Sequence, residues 1–102
     1  MEQPQPSAEV IGVAVVRNDA AARYEGRLGD DLVATVDYVR RGSTVLVTHT
    51  GTDPKWRGRG IANQVTTYAL DDIRTRGERV SPLCPFTASF IDAHRGYEDL
   101  LA

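Results

Sequence analysis

The chain predicts an α/β (α+β) fold: a mixed, mostly antiparallel sheet with one strand–helix–strand crossover and a C-terminal helix. Three observations carry that expectation. The first half holds short apolar runs with a period of two, separated by glycine-containing turns. One long helical pattern follows, with Ile61, Val65, Ala69 and Ile73 at a four-residue spacing. Beyond it come a short strand-like run, Val80–Leu83, and a segment of helical period led by Pro85.

Taken in order, Met1–Glu9 has Pro4 and Pro6 among Gln and Ser and almost nothing to bury. It is expected as a disordered leader ahead of one domain over residues 10–102. Val10–Val16 is a short apolar run, and Ala22–Leu28 is a weaker one that Gly26 interrupts. Gly29-Asp30 makes a hairpin turn, and Asp31 opens the next strand. There Leu32, Ala34, Val36 and Tyr38 alternate with Val33, Thr35, Asp37 and Val39. Arg41-Gly42 is the next turn signal. Thr44–Thr50 follows, with Val45 and Val47 on one face and Leu46 and Thr48 on the other. Successive short strands joined by tight turns pair antiparallel. The helix that opens at Ile61 carries Ala62 and Leu70 on the flanks of its stripe, Arg74 and Arg76 in its last turn, and Gly77 as a stop. Val80–Leu83 returns to the sheet beside the strand before the helix, which makes a parallel, right-handed crossover. In the second helix Phe86, Phe90 and Ala93 share a face, Gly96 ends it, and Tyr97–Leu101 packs back.

Composition bounds the function classes. A chain of 102 residues suffices for one core without staples. The 41% hydrophobic and 25% charged fractions suit a globular domain rather than a fibrous or disordered one. A net charge of −2 argues against nucleic-acid binding through the whole surface, and the Arg-Gly-Arg-Gly loop lacks the interleaved aromatics of a nucleic-acid groove. One cysteine excludes an internal disulfide and suits a reducing compartment. No run approaches membrane-spanning length and the start lacks a signal-peptide core, so a cytoplasmic protein without a membrane partner is expected. No metal-ligand spacing stands out.

The most informative stretch is Lys55-Trp56-Arg57-Gly58-Arg59-Gly60-Ile61-Ala62, between a strand and the long helix. Two glycines, two residues apart, allow a sharp turn with uncovered amides. At a helix N-terminus those amides and the macrodipole favour an anion, and Arg57 and Arg59 add charge beside them. The physical reading is a diphosphate cradle.

Asp53-Pro54, Lys55-x-x-Gly58-x-Gly60, helix and strand together resemble the acetyl-CoA-binding core of the GNAT acetyltransferase superfamily. His49-Thr50, Pro82-Leu83-Cys84-Pro85-Phe86 and Tyr97-Glu98-Asp99-Leu100 are similar to segments of a compact branch of it, single domains of about a hundred residues. The resemblance covers nearly everything after the leader. It implies the minimal acyl-CoA N-acyltransferase fold and transfer of an acetyl group from acetyl-CoA to a primary amine in a ternary complex. The alternative is a CoA-binding module without efficient catalysis. It further implies that Arg57, Gly58, Arg59, Gly60, Ile61 and Ala62 hold the CoA diphosphate. Lys55 stands where Gln or Arg is usual, Thr50 and Thr52 face the pantetheine arm along a splayed strand edge, and Cys84 lies near the thiol end.

The same branch implies an acidic residue directly after His49-Thr50, a natural general base, where this chain has Gly51. His49 is the substitute base, histidine being the residue type that exchanges protons near neutrality; the other reading is a hydrogen-bonded strand histidine. Cys84, at the N-cap of the second helix, reads either as an activated thiol or as a small buried hydrophobe. Tyr97 reads either as the acid for the leaving thiolate or as an aromatic packing the last turn onto the core. Trp56 covers apolar surface or stacks near the adenine. Arg74, Arg76 and Arg79 approach a nucleotide 3′-phosphate or form a solvated helix end. His94 reads as an exposed helix-end residue and Asp71-Asp72 as a solvated face. Only Asn18–Ala22 is available between the first two strands, so the acceptor side is expected to be open, suiting a peptide lysine, an N-terminus or a small polyamine.

Overall fold

The structure is a computed structural model and describes residues 10–102. The leader expected over Met1–Glu9 lies outside the described residues. Five strands form one sheet in chain order: β1 (Ala14–Asn18), β2 (Arg23–Leu28), β3 (Asp31–Arg41), β4 (Thr44–Thr52) and β5 (Arg79–Pro82). All neighbours are antiparallel except β4 and β5, which are parallel across α1 (Ile61–Thr75). A second helix, α2 (Pro85–Ala93), and a 3₁₀ helix, Arg95–Leu100, close the chain. This is the mixed α/β architecture that the period-two and period-3.6 segments predict. No described helix is long and apolar enough to cross a membrane.

α1 packs across the sheet and touches all five strands. Its buried stripe is Ile61, Val65, Thr66, Ala69, Leu70 and Ile73, facing Tyr24, Ala34, Val36, Val45 and Val47. The helix stops where Gly77 takes φ 70°, and its amide reaches Arg74 O while that of Glu78 reaches Ile73 O, both at 3.0 Å. That pair of bonds is a Schellman ending. Gly26 does not end β2, although the register with β3 shifts between it and Arg27. It lies under α1, where an added Cβ would stand 2.7 Å from Val65 Cγ2, so the missing side chain sets how closely helix and sheet approach.

Several boundaries differ from expectation. β1 begins at Ala14 rather than Val10, because the preceding segment is strapped to the start of α1. Ile11 N donates to Arg59 O, and Gln64 both donates to Ile11 O and accepts from Val13 N. β5 is Arg79–Pro82, one residue earlier than Val80–Leu83, because Leu83 N turns back to Val47 O. The buried face of α2 is Thr87, Phe90 and Ile91, while Phe86 and Ala93 are exposed. α2 ends at Ala93 with His94 as its cap, and Gly96 sits inside the 3₁₀ helix. From there the chain packs back, burying Leu100 and bridging Leu101 to Val80.

Asp71 is exposed, as expected, but Asp72 is not simply solvated. Asp72 accepts from Tyr24 Oη at 2.7 Å and from Arg17 at 3.1 Å, tying α1 to β1 and β2. Burial, and then that bond to Asp72, pushes the Tyr24 phenol well above its ordinary pKa. The arginines at the helix end are likewise engaged. Arg74 forks onto Asp99, Arg79 donates to Asp99 O, and Arg76 lies beside Asp72 and Glu78.

Candidate cofactor and transfer site

The site begins with a fault in β4. Asp37 pairs with His49 and Tyr38 with Val47, so Thr48 is an extra residue, a bulge that bends the strand. On the other side, pairing with β5 stops at Val47 and Pro82, and the amides of Leu83 and Cys84 both fold onto Val47 O at 3.0 Å. From His49 to Thr52 the strand therefore has β3 on one side only. Its other backbone edge faces a gap, where polar main-chain groups can serve a ligand.

α1 points its first turn at the same gap. The first helical amide to reach a main-chain carbonyl is that of Gln64, on Gly60 O at 3.3 Å. Those of Ile61, Ala62 and Asn63 are the unpartnered donors of the first turn. Gly60, the N-cap, has no side chain to satisfy them, and it takes φ 75°, as Gly58 takes φ 78°. Asp53 fixes the start of the loop, accepting from Lys55 N through Oδ1 at 2.9 Å and from Trp56 N through its carbonyl at 2.8 Å. The result is a cleft of about 660 Å³ between the released edge of β4 and the glycine turn.

The expected residues fall into two groups. His49, Thr50, Thr52, Arg57, Gly58, Gly60, Ile61 and Ala62 line the cleft together, with Gly51 and Trp56. Lys55 is exposed and outside the lining. Arg59 is also outside it, its guanidinium stacked over the Trp56 ring at 5.5 Å. Arg57 hooks back to Thr52 O through Nε at 3.4 Å, joining the loop to the strand end. Asn63 and Phe86 line the cleft as well and were not expected there. Asn63 was legible, since the third helical residue also carries a free amide. Phe86 was not, because an apolar residue in a helical run reads as core.

Cys84 is the N-cap of α2 and only 6% exposed, just behind the cleft wall. Its Sγ lies 3.6 Å from Thr50 Oγ1. Burial pushes the thiol pKa up, but Thr50 and the amides of Thr87 and Phe86 outweigh it, and the net shift is downward. Tyr97 lies away from the lining: its hydroxyl donates to Asp71 at 2.8 Å and Arg74 sits over its ring. His94 stacks on Phe90 and is bonded at Nδ1 to Phe90 O.

The geometry at Gly51 bears most directly on chemistry. A Cβ built on Gly51 would lie 3.3 Å from His49 Nε2. The imidazole therefore lies over the glycine, in space that a side chain at position 51 would contest. No group of His, Cys, Asp and Glu that could hold a metal occurs among the described residues.

Residues 23–100 match the family described as GCN5-related N-acetyl-transferase. The fold matches the NMR solution structure of a GCN5-like protein from Staphylococcus aureus with a TM-score of 0.69, at 13% sequence identity, over 88% of each chain. That likeness is one of fold. No curated protein matches the sequence.

Proposed function

Because the chain belongs to the GCN5-related N-acetyl-transferase family, we propose that it binds acetyl-CoA in the cleft and passes the acetyl group directly to a primary amine. One observation carries the reading. The free amides of the α1 first turn, the two positive-φ glycines and the unpaired edge of β4 all open onto a single cleft.

The residues present fit the cofactor. The amides from Gly58 to Asn63 would hold the diphosphate, with the field of the helix N-terminus and the cleft-lining Arg57 favouring its charge. The edge from Thr50 to Thr52 would pair with the amides of the pantetheine arm, as an added strand does. When bound, acetyl-CoA supplies the activated acyl group and a thiolate leaving group. Main-chain amides on the released edge can donate to the oxygen that gains charge during transfer.

In this proposal His49 takes the proton from the attacking nitrogen. Its Nε2 lies over Gly51, beside the released edge where the thioester would end. The new C–N bond forms as the C–S bond breaks, the amine proton passes to Nε2, and the thiolate takes a proton from solvent. Cys84 acts by holding Thr50, and Tyr97, committed to Asp71, takes no part.

Thiol release from acetyl-CoA on addition of primary amines tests this, with His49→Gln as the variant. Loss of a positioned general base typically slows turnover by about 10²–10⁴-fold. The expected outcome is a loss of that order in kcat with acetyl-CoA affinity unchanged. Saturable binding with no thiol release over a broad amine panel would support a CoA-binding module instead.

A further inference from the structure

A second depression meets the cofactor cleft from the other side of β4. It is a groove of about 290 Å³ along β3 and the end of β4, with Leu32, Thr35, Gly51 and Asp53 among its walls. Gly51 and Thr52 belong to both. Where other residues would place a side chain, Gly51 leaves a notch between His49 Nε2, 3.3 Å from the missing Cβ, and Thr35 Oγ1, 3.9 Å from it. The notch joins groove to cleft beside the proposed proton acceptor.

Asp53 directly follows the end of β4, its N–H still donates to Val33 O of β3 at 2.8 Å, and it lines the groove two residues past Gly51. Its Oδ1 caps Lys55 N, which leaves the second carboxylate oxygen for another donor. Two residues of extended chain span at most about 7 Å, so Gly51 and Asp53 stand within the reach of an alkyl chain of about four or five methylenes. Leu32, Val33 and Ala34 wall the groove between. The two arginines on the adjoining face of β2 are committed to Glu25, Arg23 at 2.8 Å and Arg27 at 2.9 Å.

We propose that this groove is the acceptor subsite and that it takes a short linear aliphatic diamine, one nitrogen in the Gly51 notch and the other, as ammonium, on Asp53. The inference rests on the acetyltransferase reading above. The nitrogen at the notch loses its proton to His49 and gains the acetyl group from acetyl-CoA with release of the thiol. The distal nitrogen stays charged and unmodified, so one acetyl group is transferred per binding event.

The test compares 1,4-diaminobutane and 1,5-diaminopentane with butylamine, in the wild type and in Asp53→Asn, which keeps a capping oxygen for Lys55 N. The expected result is a KM for the diamines at least tenfold below that for butylamine, with the ratio falling to near one in the variant. Titration of each diamine into the cofactor-free protein, followed by amide NMR, should perturb Thr35, Gly51 and Asp53 in the wild type and not in Asp53→Asn. Acetyl transfer with equal KM for diamine and monoamine, or a ratio indifferent to Asp53→Asn, would overturn the subsite while leaving the transferase reading intact. Absence of acetyl-CoA binding in a parallel titration would overturn the reading beneath it, and the subsite with it.

Discussion

Single residues decide what this site can do, and Gly51 does so by lacking a side chain. The resemblance implies a carboxylate there, and the sequence leaves open whether another group takes its place or catalysis is weak. In the structure His49 lies over the vacated position, with Nε2 3.3 Å from where a Cβ would stand. His49 stands directly after the Thr48 bulge, and no sequence pattern announces that bulge. Glu25 shows a second residue-scale effect. It is only 2% exposed, yet Arg23, Arg27 and Asn18 all donate to it. Those bonds, Arg23's first, overcome burial and bring its pKa from 4.5 down to about 2. A depressed carboxylate stabilises the fold above its unfolded pKa, and that contribution is lost as pH falls through the folded value. Glu25→Gln should therefore lower stability at pH 7 by about 1–3 kcal/mol, as expected when charged hydrogen bonds are removed. The difference from wild type should shrink between pH 4.5 and about pH 2 in urea titrations. A gap unchanged across that window would contradict the assignment.

At the scale of elements, helix–sheet spacing and strand splay build the cleft. Gly26 lets α1 settle on β2, and the core side of that contact is Val65, which is fully buried. Gly26→Ala places a methyl 2.7 Å from Val65 Cγ2, so helix or sheet must shift. Overpacking of this kind costs about 1–3 kcal/mol, and the variant should show a lower midpoint of denaturation. An equal or higher midpoint would mean that the interface is looser than described. The elements themselves were largely legible. The period of α1, its Gly77 stop and the turns at Gly29 and Gly42 follow from local chemistry, and each glycine takes the positive φ its place requires. Features set by distant partners were not legible. Val10–Val13 reads as the start of a strand but is drawn off by Gln64, far along the chain. Phe86 reads as core but faces the cleft, because α2 turns Thr87, Phe90 and Ile91 inward instead.

For the molecule as a whole, the connection between the first two described strands carries no helix. Residues 19–22 between β1 and β2 form only a turn, as the short span Asn18–Ala22 implied. The glycine string was recognisable as an anion site from sequence, since the amides of a helix N-terminus are a local property. The structure adds what a local property cannot carry: the split between β4 and β5 lies opposite those amides, and a second groove meets the cleft at Gly51. The central claim is that these amides hold a CoA diphosphate. Calorimetric titration of acetyl-CoA into the wild type and into Gly58→Glu tests it most directly, with Gly58→Ala as a control that carries the same positive-φ strain without the charge. The account predicts one saturable site in the wild type and at least a hundredfold weaker binding in Gly58→Glu than in Gly58→Ala, with the circular dichroism of all three proteins alike. Affinity for acetyl-CoA that is absent from the wild type, or equal in Gly58→Glu and Gly58→Ala, would contradict it.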